Sequence, residues 1–334
     1  MKSIQTTKPG VLELVEREIP QPLANQVRIK ISACGICHSD LLVTEAQWPN
    51  IKLPRIPGHE VAGTIDEIGS NVVTWKKGQR VGIGWSGQCC FECDACRLGD
   101  LVSCINHKIT GIDYDGGYSQ YMIAPVEALA AIPDELSFAE AAPLLCAGVT
   151  TFNVLRNSTA KAGDLVAIYG IGGLGHLAIQ FANKMGFKTV AISAGKDKKA
   201  LALKLGAHVY LDTTNHDVVT ELKNLGGVKT MLVTAPSGKL VSALIDAVGL
   251  NGELFIVGGS ADPIEISAVQ LIVNKRSLRG WSSGSPIDSE DTMRFCVLNG
   301  IRAMTEQFPL EKAAEALEYT LANKARFKSV LICE

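Results

Sequence analysis

Five of the ten cysteines fall between Cys89 and Cys104, and four of them form the run Cys90-x2-Cys93-x2-Cys96-x7-Cys104. Thiolates at that spacing on one short loop are the ligand set of a closed, tetrahedral, structural zinc, which pins a lobe in place. No other stretch constrains the fold so tightly. Cys89 is surplus and sits next to the register. The competing reading is a cluster of free thiols. A nucleic-acid role for such a module is poor, because the loop carries Glu92, Asp94 and Asp100 against Arg97 alone.

The chain is 334 residues long, more than one hydrophobic core usually spans, and predicts two domains of about 150 residues each. Its 32 Lys+Arg against 34 Asp+Glu leave a net charge of −2, with the signs interspersed. That field does not suit nucleic acid or anionic lipid. At 47% apolar and 20% charged residues the composition is that of a globular protein and excludes disorder. No apolar run is long enough for a membrane span, and Met1 to Glu18 is polar. A cytoplasmic location is the expectation, in which thiols bind metal more readily than they form disulfides.

Before residue 135, short apolar runs such as Val27–Ser32, Val61–Ile68 and Val81–Ile83, set between prolines and glycines, predict a strand-rich region. Ala139–Val149 and Phe152–Leu155 have a helical pattern that Pro143 should break. After Gly163 strands and helices alternate. Strands are expected at Leu165–Tyr169, Thr189–Ser193, Val209–Leu211, Met231–Thr234, Leu254–Val257 and Leu278–Trp281. Helices are expected at Leu174–Met185, Lys198–Leu205, Val218–Leu225 and Leu240–Val248. That rhythm is an α/β, doubly wound parallel sheet. A helix at Leu310–Leu321 and a strand at Lys328–Ile332 break the rhythm and should pack back on the first domain.

Gly170-Ile-Gly172-Gly173-Leu174-Gly175 matches G-x-G-x-x-G. With 32 glycines in the chain, about 0.3 such matches arise by chance, and Gly82-Ile-Gly84-Trp-Ser-Gly87 is a second one. Only the first follows a strand and opens a helix, so only it can aim a helix N-terminus at a pyrophosphate. The end of the next strand usually carries an acid for the ribose 2′-hydroxyl of NAD. Here Ser193 is followed by Lys196, Lys198 and Lys199, a set suited to the 2′-phosphate of NADP. The same lysines fit a solvated helix surface, and Asp197 could reach the ribose, so NAD stays open.

Cys37-His38-Ser39-Asp40 and Gly58-His59-Glu60 offer a thiolate, an imidazole and carboxylates in the first region, though no short spacing links them. Taken with the four-cysteine loop and the glycine loop, Gly58-His59-Glu60-x2-Gly63-x5-Gly69-x2-Val72 resembles the zinc signature of the medium-chain dehydrogenase/reductase superfamily. The whole chain resembles its zinc-dependent alcohol dehydrogenases. The resemblance implies a β-rich, GroES-like catalytic domain over residues 1–147 and 286–334, and a Rossmann cofactor domain over 148–285.

It further implies a second, catalytic zinc held by Cys37, His59 and Cys146, so two zincs per subunit. Glu60 would approach that metal transiently, and Asp40 would orient His59. Ser39 stands where the family keeps a hydroxyl that passes on the alcohol proton. His38 would contact the pyrophosphate, Thr150 would lie near the nicotinamide, and Lys328 takes a position where relatives often carry a cofactor-binding Arg. Trp48 and Trp85 match aromatic walls of the substrate pocket, although both also suit plain core packing. One departure concerns the outer proton relay: many relatives carry a His five residues after the first ligand cysteine, and here that residue is Leu42. The expected reaction is reversible hydride transfer between NAD(P) and primary alcohols, aliphatic or aromatic. Polyol or secondary-alcohol oxidation, and a non-catalytic NAD(P)-binding zinc protein, are the alternatives. The partner is then a small alcohol or aldehyde, and the chain a homo-oligomer, dimer or tetramer.

Overall fold

The apolar runs that alternate with helices after Gly163 form one six-stranded, all-parallel sheet in the computed structural model, which describes residues 1–333. Across the sheet the strands run Val209–Asp212, Lys188–Ser193, Leu165–Tyr169, Val228–Val233, Val248–Ile256 and Ser277–Gly280. In chain order that is 3-2-1-4-5-6, the doubly wound order, with its switch point between Leu165–Tyr169 and Val228–Val233. The central strands are buried on both faces, which is why they read as unbroken apolar runs: Val166, Ala167, Ile168, Met231, Leu232 and Val233 are all fully buried. This sheet and its helices form the compact unit Thr150–Ser282.

The other unit joins Met1–Val149 to the segment from Ser283 onward. Its seven-stranded sheet has Gln26–Gly35 at the centre. One edge of that strand pairs antiparallel with Val61–Ile68; the other is shared by Tyr121–Pro125 and Lys328–Ile332. Lys328–Ile332 also pairs in parallel with Thr305–Pro309. The helix Ala313–Leu321 buries Ala313, Ala316 and Leu317 in the same core as Ile29, Ile31, Ile65 and Leu331. The C-terminal segment thus belongs to the first unit. The division falls at Val149/Thr150 and Ser282/Ser283.

Pro143 interrupts the helical stretch as expected. Phe138–Ala141 is α-helical, Ala142–Leu145 tightens to a 3-10 turn, and a new helix runs Ala147–Arg156. Cys146, at the break, has φ −130° and ψ −74° and leaves the helical path. Among the elements with no expectation in the sequence are the hairpin Lys2–Lys8 with Val11–Glu16, the strands Tyr121–Pro125 and Thr305–Pro309, and the helix Pro286–Asn299. Among the described residues no single helix is long and apolar enough to cross a membrane.

Candidate active site

Cys37 follows the central strand Gln26–Gly35 and caps a 3-10 turn, His38–Asp40. His59 and Glu60 directly precede the strand Val61–Ile68, which pairs with it. Two neighbouring strands thus deliver ligands to one end of the sheet, and the break at Pro143 brings in Cys146. The candidate ligand atoms of Cys37, His59, Glu60 and Cys146 all lie within 4.8 Å of one another. The Cys37 and Cys146 sulfurs are 4.0 Å apart. Two sulfurs on one tetrahedral zinc stand about 3.8 Å apart.

His59 stands against Asp40, with Nδ1 3.1 Å from Oδ1 in ion-pair contact that falls short of hydrogen-bond geometry. Nε2, the ring's other nitrogen, is buried and has no hydrogen-bond partner among the described residues. A buried donor or acceptor is rarely left alone, so this orphaned atom, on a ring grouped with two sulfurs, fits a metal ligand. The electrostatics agree. The bond between the two thiols draws Cys37 well below its ordinary value and pushes Cys146 well above it, so one negative charge is shared across the pair. Burial opposes a positive His59, and Asp40 and Cys37 outweigh it, lifting the imidazole to about 10. A field that favours a positive charge at this point favours a dication there.

Glu60 turns its other side to Lys328, with Oε1 2.6 Å from Nζ, while Oε2 is buried and unpartnered among the described residues. Gly35 leaves the room it needs, because a Cβ at Gly35 would stand 2.0 Å from Oε2. Beside His59 lies an apolar wall. Trp85 meets the imidazole edge-on at 4.9 Å and Trp48 packs against Trp85 at 6.2 Å. Leu42, Val43, Ile51, Ile109 and Ile112 complete the cluster.

The second cysteine set is equally tight, with the sulfurs of Cys90, Cys93, Cys96 and Cys104 within 4.8 Å of one another. Backbone amides already point at them: Cys93 N–H donates to Cys90 Sγ at 3.4 Å, and Cys90 N–H and Asn106 N–H each donate to Cys104 Sγ at 3.3 Å. The amides of Glu92 and Cys93 bring Cys90 down to about 6, into the range where the thiolate, the form that binds metal, prevails. Cys89 lies outside this set, in the apolar packing around it.

In the other unit each loop glycine has its own reason. Gly170 has φ +95°, a left-handed turn that also brings it against Thr234. A Cβ on Gly175 would stand 1.8 Å from the Gly170 carbonyl oxygen, so the helix Gly175–Lys184 starts closer to the strand than any other residue allows. A Cβ on Gly172 would meet nothing within 4 Å, which leaves that backbone open to a phosphate. The second glycine motif is different in kind: Gly82 and Gly84 make room for Leu145.

Residues 23–134 match the family description "Alcohol dehydrogenase GroES-like domain", and residues 173–297 match "Zinc-binding dehydrogenase". An alcohol dehydrogenase of Penicillium expansum, patD, is 40% identical over 323 residues, covering 96% of this chain and 94% of that protein. The chain belongs to the zinc-type alcohol dehydrogenases of the medium-chain dehydrogenase/reductase superfamily. An NADP-dependent alcohol dehydrogenase of Mycolicibacterium smegmatis is 34% identical over 334 residues, 97% of this chain and 95% of its own length. Among solved structures, a cinnamyl alcohol dehydrogenase of Sorghum bicolor superposes with a TM-score of 0.90 at 28% identity, covering 99% of this chain and 97% of that one.

The remaining expected residues of this alcohol dehydrogenase divide into three groups. Ser39 is half-buried in the turn next to Cys37, His38 beside it is exposed, and Thr150 is buried in the helix that follows Cys146. Lys196 and Lys199 line an open depression with Tyr210, Asp212, Asn215 and His216. Lys198 instead spans back to the glycine loop, donating Nζ to the Ile171 carbonyl at 2.8 Å. Lys328 is turned inward, with Nζ on the Ile36 carbonyl at 2.7 Å and on Glu60, so two of its three donors serve the protein itself. Sequence reasoning missed Ile51, Ile109 and Ile112 of the apolar wall and the Glu60–Lys328 pair. The pair joins residues 268 apart, and no local pattern announces it.

Proposed function

We propose that this alcohol dehydrogenase carries two zincs per subunit and oxidises primary alcohols, or reduces the matching aldehydes, with aliphatic or aromatic bodies. The observation that carries the reading is the meeting of Cys37 Sγ, Cys146 Sγ and the orphaned His59 Nε2 beside an apolar wall. Three protein ligands that leave a fourth position open are the pattern of a catalytic zinc.

When bound, zinc supplies Lewis-acid activation of the substrate oxygen and the nicotinamide supplies the hydride carrier. The chain's own residues do the rest. Asp40 fixes the tautomer and direction of the His59 ring. Ser39, two residues after Cys37, holds the alcohol proton at Oγ. Leu42 lies in the apolar wall at the position of the outer relay histidine and carries no titratable group, so the chain offers no proton acceptor at that point. Trp48 and Trp85 bind the substrate's carbon body and exclude water from the site. An apolar wall of this kind favours aliphatic and aromatic substrates over polyols, in keeping with the cinnamyl alcohol dehydrogenase among its structural neighbours.

For the cofactor we favour NADP over NAD. The strand Lys188–Ser193 ends in a hydroxyl, not a carboxylate, and Lys196 and Lys199 flank the depression beyond it. An NADP-dependent relative at 34% identity supports the preference. Gly170, Gly172, Gly173, Leu174 and Gly175 would hold the pyrophosphate. The cytoplasm is the proposed location and a homo-oligomer the proposed form.

Metal content of wild type and Cys146→Ser, with NADH and NADPH oxidation against benzaldehyde and acetaldehyde, tests the reading. The expected result is two zincs falling to one with loss of turnover, and faster oxidation of NADPH. One zinc in both proteins would make Cys146 a core thiol and remove the catalytic metal from the assignment. Turnover confined to polyols would overturn the substrate class.

A further inference from the structure

Tyr118 touches neither a candidate ligand nor the apolar wall by hydrogen bond, yet its hydroxyl ends beside the metal site. The side chain is fully buried, and its O–H donates to Asp40 Oδ2 at 2.8 Å. The Cys37 N–H donates to the same oxygen at 2.9 Å, while Oδ1 faces His59 Nδ1 at 3.1 Å. Asp40 is itself 1% exposed, so no bulk water supplements these donors. One carboxylate thus links the backbone of one candidate ligand to the ring of another, and among the described residues Tyr118 is the side-chain partner that belongs to neither.

The loop that carries Tyr118 is welded to the residues just ahead of His59. Gly116 N–H donates to the Ile56 carbonyl, Tyr118 N–H to the Pro57 carbonyl and Gly117 N–H to the Gly58 carbonyl, at 2.8, 3.0 and 3.0 Å. Gly58, with φ +103°, is where the ring passes: a Cβ there would stand 2.5 Å from Tyr118 Cδ1. The glycine that opens the Gly58-His59-Glu60 signature therefore has a local task here, to let a phenol reach past the backbone to Asp40. Packing alone would be served by phenylalanine at lower desolvation cost.

We propose that Tyr118 is a positioning residue for the catalytic metal, its phenol holding the Asp40 carboxylate at the angle that aims His59 Nε2 at the ion. With two donors on Oδ2 from different segments, rotation of the carboxylate is blocked and Oδ1 stays on the imidazole. With the phenol gone, Oδ2 keeps only the Cys37 amide, and the ring loses its fixed brace. The inference rests on the zinc reading of Cys37, His59 and Cys146.

The test is chelator challenge of the full-length holoenzyme, following both zincs by mass spectrometry, with kcat and KM for benzaldehyde measured alongside. Tyr118→Phe is expected to lose the catalytic zinc about 10- to 100-fold faster than wild type while keeping the structural zinc, with kcat falling more than KM changes. In an Asp40→Asn background the same substitution should add nothing, because its route runs through the carboxylate. Unchanged zinc loss in Tyr118→Phe overturns the inference. So does an equal effect in the Asp40→Asn background, or loss of both zincs together, either of which makes the ring a packing element. A wild-type protein that binds no zinc at Cys37, His59 and Cys146 overturns the zinc reading itself, and is told apart from these outcomes by its metal content before any substitution.

Discussion

Lys328 Nζ stands 2.6 Å from Glu60 Oε1, and the two side chains are 5% and 0% exposed, a buried pair at the residue next to the candidate ligand His59. Burial opposes the lysine's charge, and Glu60 with the thiols of Cys37 and Cys146 outweighs it and keeps the amine protonated. Burial prevails at Glu60 and pushes its carboxyl up to about 8, so it can take up a proton when the lysine is gone, and the roughly 3–5 kcal/mol that a stranded charge costs is an upper bound here. Lys328→Met is therefore expected to lower the urea midpoint by less than the equivalent of that amount at neutral pH, and Glu60→Gln added to it should restore most of the loss. No recovery in the double variant would mean that the lysine stabilises through the Ile36 carbonyl instead.

The glycine loop makes a paired prediction. Gly175→Ala forces a Cβ to within 1.8 Å of the Gly170 oxygen, and overpacking of this kind costs about 1–3 kcal/mol. Its melting temperature should fall and cofactor binding should fail. Gly172→Ala has open space in the protein, so its melting temperature should stay put while the Kd for NADPH rises about 10-fold or more, roughly 1.4 kcal/mol. Equal behaviour of the two variants in calorimetry would remove the division of labour.

Asp212 ends the strand Val209–Asp212 and accepts from Thr214 N–H and O–H, Asn215 Nδ2 and Gly195 N–H at 2.7 to 3.0 Å. Those donors, Thr214 first, lower its carboxyl from 3.8 to about 2. The native state thus holds the proton less tightly than the unfolded chain, so the contribution to stability is complete above about pH 4 and is lost as pH falls towards 2. Asp212→Asn should lower the urea midpoint near neutral pH, and the gap to wild type should close across that acid window. A gap that is constant with pH would show that the charge is not what the donors hold.

Removal of the metal proposed for the four-cysteine loop should act locally. Cys104→Ser breaks a set whose four sulfurs lie within 4.8 Å, so zinc content should drop by one per subunit and limited proteolysis should cut between Gln88 and Lys108. Resistance to protease at the lower zinc content would mean that the four thiols pack unaided.

How much of this was legible in the sequence depends on the distance over which each feature is built. The parallel sheet was readable because its strands are covered on both faces and so carry continuous apolar runs. Val248–Ile256 was foreseen only from Leu254, because Gly249, Asn251 and Gly252 interrupt its run. The helix Pro286–Asn299 was missed because its buried face is Ser289, Thr292, Met293 and Cys296, which makes no apolar stripe. Its ends were in fact marked, by Ser285-Pro286 with Asp288 at the start and Gly300, at φ 66°, past the finish. At the site, the four-cysteine lobe announces itself by spacing. Cys146 is visible only through family resemblance, and Lys328 and Tyr118 reach their carboxylates across the fold, where periodicity carries no information.

The strand Lys328–Ile332 lies between Thr305–Pro309 and the central strand Gln26–Gly35, and it brings Lys328 to Glu60. A sheet whose interior strand is translated some three hundred residues after its neighbour cannot close on the ribosome until that late segment emerges. The unit Thr150–Ser282 has all of its strands by then. The middle of the chain can therefore complete its sheet before the first unit completes its own, whose beginning waits for its end.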